Sequence, residues 1–126
     1  MKKEIAIGAL FCAMALTALI NVRYLERLTR DVSESAAAVR YAADAEDWER
    51  AEKLASDTRD IWESGGAYTQ LVLRHSSIEA AENSIAALLT AARARDQARV
   101  SGAADDVRRG MESLAETERV RLGSVF

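Results

Sequence analysis

Residues 5–22 carry no charged side chain, and that run constrains the fold of this 126-residue chain more than any other feature. It follows Lys2, Lys3 and Glu4 and closes at Arg23. As a helix with a rise of about 1.5 Å per residue it is about 27 Å long, close to the hydrocarbon thickness of a bilayer. A soluble core helix would show a polar face, whereas the polar side chains here are Thr17, Asn21 and the thiol of Cys12. A cleaved signal peptide fits the two lysines, and Ala13-Met14-Ala15 has the small-x-small form of a cleavage site. Leu16, Ala18, Leu19 and Ile20 still follow it, so cleavage there would leave an apolar new terminus. Phe11 stands where a lipoprotein signal needs a small residue before Cys12. The expectation is therefore an uncleaved membrane anchor over residues 1–22 and a single domain over residues 23–126. Lys2 and Lys3 point to a cytoplasmic N-terminus and an extracytoplasmic domain, with Arg23, Arg27 and Arg30 counting the other way.

Beyond Arg23 the chain reads as helix almost throughout. It has no proline, alanine is frequent, and apolar residues recur at three and four positions rather than two. Leu25, Leu28, Val32, Ser35, Val39 and Ala42 form a heptad seam with no breaker between it and the anchor. One helix is thus expected from the anchor to about residue 43. Asp44 or Asp47 can cap a second helix over about 47–64, which carries Trp48, Ala51, Ala55, Thr58 and Trp62 on one face. Both indoles read as packing residues. Gly65-Gly66 ends it, a third helix follows over about 67–93, and a fourth over about 96–120. With breaks near 44–47, 65–66 and 93–96, the fold class is all-α: an anchor helix continuous with a small antiparallel bundle of about four helices. No convincing internal repeat emerges.

Polar residues that fall on apolar stripes are the candidate functional positions. In the third helix Leu71, His75, Ile78, Glu82, Ile85 and Leu89 share a stripe, which puts the chain's single histidine and a glutamate inward. In the fourth, Val100, Ala104, Val107, Met111 and Leu114 lead to Glu118. A His75, Glu82, Glu118 cluster, with Glu79 beside it, would fix helix register or respond to pH or a cation.

Other chemistry is excluded on composition. One cysteine and one histidine cannot build a Cys/His zinc site, and no disulfide can form within the chain. A net charge of −3 supplies no nucleic-acid footprint. Ser76 and Ser77 follow His75 directly, and adjacent helical residues point about 100° apart, so they make no nucleophile and base pair. No glycine-rich phosphate loop is present. Neither an enzyme, a cofactor nor a small-molecule substrate is expected. Residues 44–63 are acidic, and Arg93, Arg95 and Arg99 cluster at one turn that can pair with them or touch lipid headgroups.

The runs Asn21-Val22-Arg23-Tyr24-Leu25-Glu26-Arg27-Leu28, Asp47-Trp48-Glu49-Arg50-Ala51 and Arg74-His75-Ser76-Ser77-Ile78-Glu79 resemble the family catalogued as domain of unknown function 4363. So does the closing run from Glu118 to Phe126, with its Glu-x-x-x-Leu-x-x-x-Phe pattern at Glu118, Leu122 and Phe126. The resemblance spans essentially the whole chain. It implies a bacterial, typically Gram-positive, protein with one N-terminal membrane segment and a helical remainder outside the cytoplasm, and it implies no activity. The expected role is a membrane-tethered interaction or scaffold module that docks another membrane protein or a second copy of itself. Leu122, Val125 and Phe126 would serve as an apolar clasp, with Trp48 and Trp62 as packing anchors. The alternative is a sensor built on the His/Glu cluster.

Overall fold

A computed structural model describes the chain except residues 67, 68, 70–72, 74 and 126, and except the side chains at 118, 119 and 121–125. Its helices are α1 (Lys2–Asp44), α2 (Trp48–Ser64), α3 (His75–Arg93) and α4 (Gln97–Val125), and no strand occurs among the described residues. α1 runs unbroken for 43 residues, about 65 Å, from the apolar run into the bundle.

The bundle is a closed square. α1 packs on α2 and on α4, α3 packs on α2 and on α4, and the diagonal pair α1 and α3 barely meet. Its core begins at Leu25 and contains Leu28, Val32, Val39 and Ala42 of the seam, joined by Ala36 and Ala43. α2 contributes Ala51, Ala55, Thr58 and Trp62, with Trp48 partly buried at the edge. α4 contributes Val100, Ala104, Val107, Met111 and Leu114. Small residues on α1 and α2 let those helices approach closely, and Gly65 lies against Leu28, where a Cβ would sit 2.7 Å from Leu28 Cδ2.

The two distal turns are the same structure made twice. Asp47 N–H donates to Ala42 O at 2.9 Å and Glu46 N–H to Ala43 O at 3.0 Å, with Glu46 left-handed at φ 58°. Asp96 N–H donates to Ala91 O and Arg95 N–H to Ala92 O, both at 3.2 Å, with Arg95 at φ 53°. Each is a Schellman closure whose final residue at once caps the next helix. Arg50 N–H donates to Asp47 Oδ1 at 3.3 Å and Arg99 N–H to Asp96 Oδ1 at 3.2 Å. An internal repeat therefore exists where none was expected: Ala-Ala-x-Ala-x-Asp-x-x-Arg at Ala42 recurs at Ala91, forty-nine positions on. It is short because only the turn is duplicated, and the flanking charges invert from Asp44 and Glu46 to Arg93 and Arg95.

The third helix is expected from residue 67, and residues 67, 68, 70–72 and 74 lie outside those described; Gly66 and Thr69 are helical, Leu73 is a bend and α3 begins at His75. Thr69 N–H donates to Gly65 O and Leu73 N–H to Thr69 O, and the buried Thr69 hydroxyl donates to Gly66 O. α4 in turn continues to Val125, five residues past its expected end, and neither Gly102 nor Gly110 interrupts it.

Candidate functional site

α3 places the expected polar cluster on the outside. Its buried residues are Ile78, Ala81, Ile85, Leu88, Leu89, Ala91 and Ala92. Ala81 and Leu88 take the inward positions that the sequence pattern assigns to Glu82, and the helix is rotated accordingly. Two buried charges would have to be desolvated in the other phase, whereas alanine and leucine gain by burial. His75 is 86% exposed and forms a surface pair with Glu79, itself 62% exposed, at 3.1 Å from Nε2 to Oε1. Glu82 is exposed at the rim of a groove of about 240 Å³ between α2 and α3, beside Arg59, Glu63 and the buried ring of Trp62. The side chains of Glu118, Leu122 and Val125, and all of Phe126, lie outside the described residues. Among the described residues, no three His, Cys, Asp or Glu side chains converge as metal ligands.

A polar side-chain contact at the core edge joins α1 to α2. Ser35 Oγ and Thr58 Oγ1 lie 2.6 Å apart, and Thr58 also donates to Leu54 O at 2.8 Å. Thr58 is fully buried. Both residues stand on the stripes read from sequence, so the signal was present: a hydroxyl in each of two facing seams can satisfy the other without desolvating a charge. No buried side-chain polar atom among the described residues lacks a partner.

Charge is organised on the surface. Arg93 Nε reaches Glu52 Oε1 at 3.4 Å, joining the arginine cluster to the acidic helix, and Gln97 Nε2 donates to Asp44 Oδ1 at 2.8 Å between the two turns. On α4, Asp105 receives Arg108 on Oδ1 and Arg109 on Oδ2, each at 2.7 Å. The Arg108 hydrogen bond, helped by the charges on Arg109 and Arg40 and opposed by partial desolvation, holds the Asp105 carboxyl below its ordinary range. The same bond holds Arg108 above its own. A shallow groove of about 380 Å³ lies beside this network between α1 and α4, lined by Glu26, Arg30, Met111 and Glu112 among others.

The first half of α1 is the remaining feature. It is long and apolar enough to cross a membrane, and its most apolar window is nowhere buried against the bundle. Phe11 is 66% exposed, and Ile5, Leu10, Met14 and Leu19 are exposed on every side of the helix. Cys12 is exposed with them. An apolar surface of this extent is unstable in water and stable in hydrocarbon.

No curated protein and no solved structure matches the chain. The family described as Domain of unknown function (DUF4363) matches residues 19–125, which takes in the last turn of the apolar run and the whole bundle, and the chain belongs to that family.

Proposed function

We propose that this protein is a single-span membrane anchor carrying a helical interaction module, with residues 5–22 in the bilayer and the bundle outside the cytoplasm. The observation that carries the reading is the contrast along one unbroken helix. Residues 5–17 have no covering in the bundle, Ala18, Asn21 and Val22 are partly buried, and full burial begins at Leu25, just past Arg23. Lys2 and Lys3 on the short leading segment support a cytoplasmic N-terminus.

A binding rather than catalytic role is supported by where the reactive groups sit. The ion pairs described in the bundle lie on helix surfaces, and the grooves between helices are open and shallow. Such surfaces suit a partner that lies along the bundle, either another membrane protein or a second copy. His75 and Glu82 lie in solvent, so among the described residues the sensor alternative has less support than the interaction reading.

The test is a tagged full-length protein in intact cells, with external protease and in-cell crosslinking applied in parallel. The proposal expects a protease-accessible tag at the bundle end and a discrete crosslinked membrane partner. A protected tag overturns the orientation. A monomer with no crosslink overturns the interaction role.

A further inference from the structure

The helices α1 and α4 are in a fixed antiparallel register. Asp44 meets Gln97 through a hydrogen bond, and fourteen or fifteen residues further along, Thr29 and Arg30 line one groove with Met111 and Glu112. Extended at equal rise, this pairing sets Val120 of α4 beside Asn21 of α1. α4 remains helical through Val125, so its last turns run alongside the end of the apolar run.

Burial on α1 agrees with that register. Ala18, Asn21 and Val22 are partly buried, while Leu16, Thr17, Leu19 and Ile20 are exposed. The three continue the Leu25 and Leu28 seam two turns into the apolar run.

The exposed apolar residues sort by height in the same frame. Apart from Tyr41 near the distal turn, every large hydrophobic residue exposed among those described on α1 lies at or before Tyr24. Val120, 66% exposed, is the one exposed large hydrophobic described on α4, and it falls at that same level. The exposed positions of α4 further along toward the distal turn are polar, Arg108, Arg109, Glu112 and Glu116 among them, apart from the small Ala98 and Gly102. Arg23 and Arg27 are exposed on α1 at this boundary, and the α4 sequence has Arg119 and Arg121 flanking Val120.

On the reading that residues 5–22 cross the membrane, the geometry points to a second membrane contact: the last turns of α4 lie in the headgroup and upper acyl layer of the bilayer, with Val120 facing lipid. A helix end in that layer buries its apolar side chains at a depth of about 5–10 Å, while arginine stems reach back to the phosphates. Two points of contact, the span and the end of α4, hold the bundle upright and set its height above the surface.

The test is lipid-depth quenching of the full-length protein in two sets of phospholipid vesicles, one whose acyl chains carry a nitroxide near the headgroup and one whose acyl chains carry it near the chain end. A fluorophore is placed on native Cys12 or, in a Cys12→Ser background, on Val120→Cys, Thr117→Cys or Tyr41→Cys. The expected result is roughly twofold quenching at 120 by the shallow nitroxide, less at 117 and none at 41, with Cys12 quenched by the deep nitroxide. A probe at 120 that behaves like the one at 41, with Cys12 still quenched, overturns the contact and leaves the span intact. A probe at 120 that is shielded from water-soluble quencher and untouched by nitroxide lipid is covered by a second copy, which also overturns it. An unquenched Cys12 overturns the span, and the α4 contact with it. Melting of each variant, unchanged from the parent, shows that these surface positions have not disturbed the bundle.

Discussion

The two halves of α1 share one backbone helix and differ in what surrounds them. From Lys2 to about residue 22 apolar side chains point in all directions and none is fully buried; from Leu25 to Asp44 the apolar residues narrow to a seam and most of them disappear into the bundle. Helix propensity is similar in both, so propensity does not distinguish them. The angular distribution of apolar residues does, because a full circumference asks for lipid and a stripe asks for neighbouring helices.

A charge placed in each half separates the two most sharply. Val32→Asp puts an unpaired carboxylate at a fully buried position, and a loss of more than about 4 kcal/mol is expected, enough to abolish cooperative melting. Leu10→Arg is expected to leave bundle melting in detergent unchanged while raising the cost of insertion by about 3 kcal/mol, read as protein lost from the membrane fraction. If Leu10→Arg unfolded the bundle, the two halves would not be independent.

The hydroxyl pair tests how the bundle half is specified. Thr58→Val leaves Ser35 without its 2.6 Å partner and should cost about 1–2 kcal/mol by thermal or denaturant unfolding. The double change Ser35→Ala with Thr58→Val should recover part of that loss, because the single variant leaves Ser35 with only its long 3.5 Å bond to Leu54 O.

The duplicated turn offers a comparison inside the bundle. Asp47→Ala and Asp96→Ala each remove a cap of similar geometry, and each should lower stability by about 1 kcal/mol. Unequal losses would show that the two turns, alike in backbone, differ in what their neighbours contribute.

Smaller effects follow on the surface of α4. A Cβ at Gly110 meets open space in the middle of a helix, so Gly110→Ala should raise stability by about 0.5–1 kcal/mol. The Asp105 carboxyl has its pKa depressed in the folded state, so its contribution is present above the unfolded value of 3.8 and is lost as pH falls through the lower folded value. Asp105→Asn should flatten that acidic limb of a melting profile slightly, by lowering neutral stability a little while leaving stability below the limb unchanged.

Much of this architecture could be read from the chain. Every apolar member of the α1 seam, the Ala51, Ala55, Thr58, Trp62 face of α2 and the Val100 to Leu114 stripe of α4 are buried as the periodicity predicts. α3 is the exception, because Ile78, Ile85 and Leu89 fit two helical phases equally well. Choosing between them depends on whether His75 and Glu82 or Ala81 and Leu88 turn inward, and alanine carries too little hydrophobic signal to decide it by pattern. The cost of burying charge decides it. The turn at 94–96 lacks glycine, so its left-handed residue, Arg95, is invisible to a search for glycine caps. Comparison with the turn at Glu46 would have revealed it.

Thiol accessibility at two positions tests the central claim most directly. Native Cys12 sits inside the apolar run, and Tyr41, 76% exposed near the distal turn, can be replaced by cysteine in a Cys12→Ser background. In sealed vesicles carrying the full-length protein with its bundle outside, a membrane-impermeant charged maleimide should modify Tyr41→Cys rapidly and leave Cys12 unmodified. Modification of Cys12 at the rate seen for Tyr41→Cys would contradict the assignment of the first half of α1 to the bilayer.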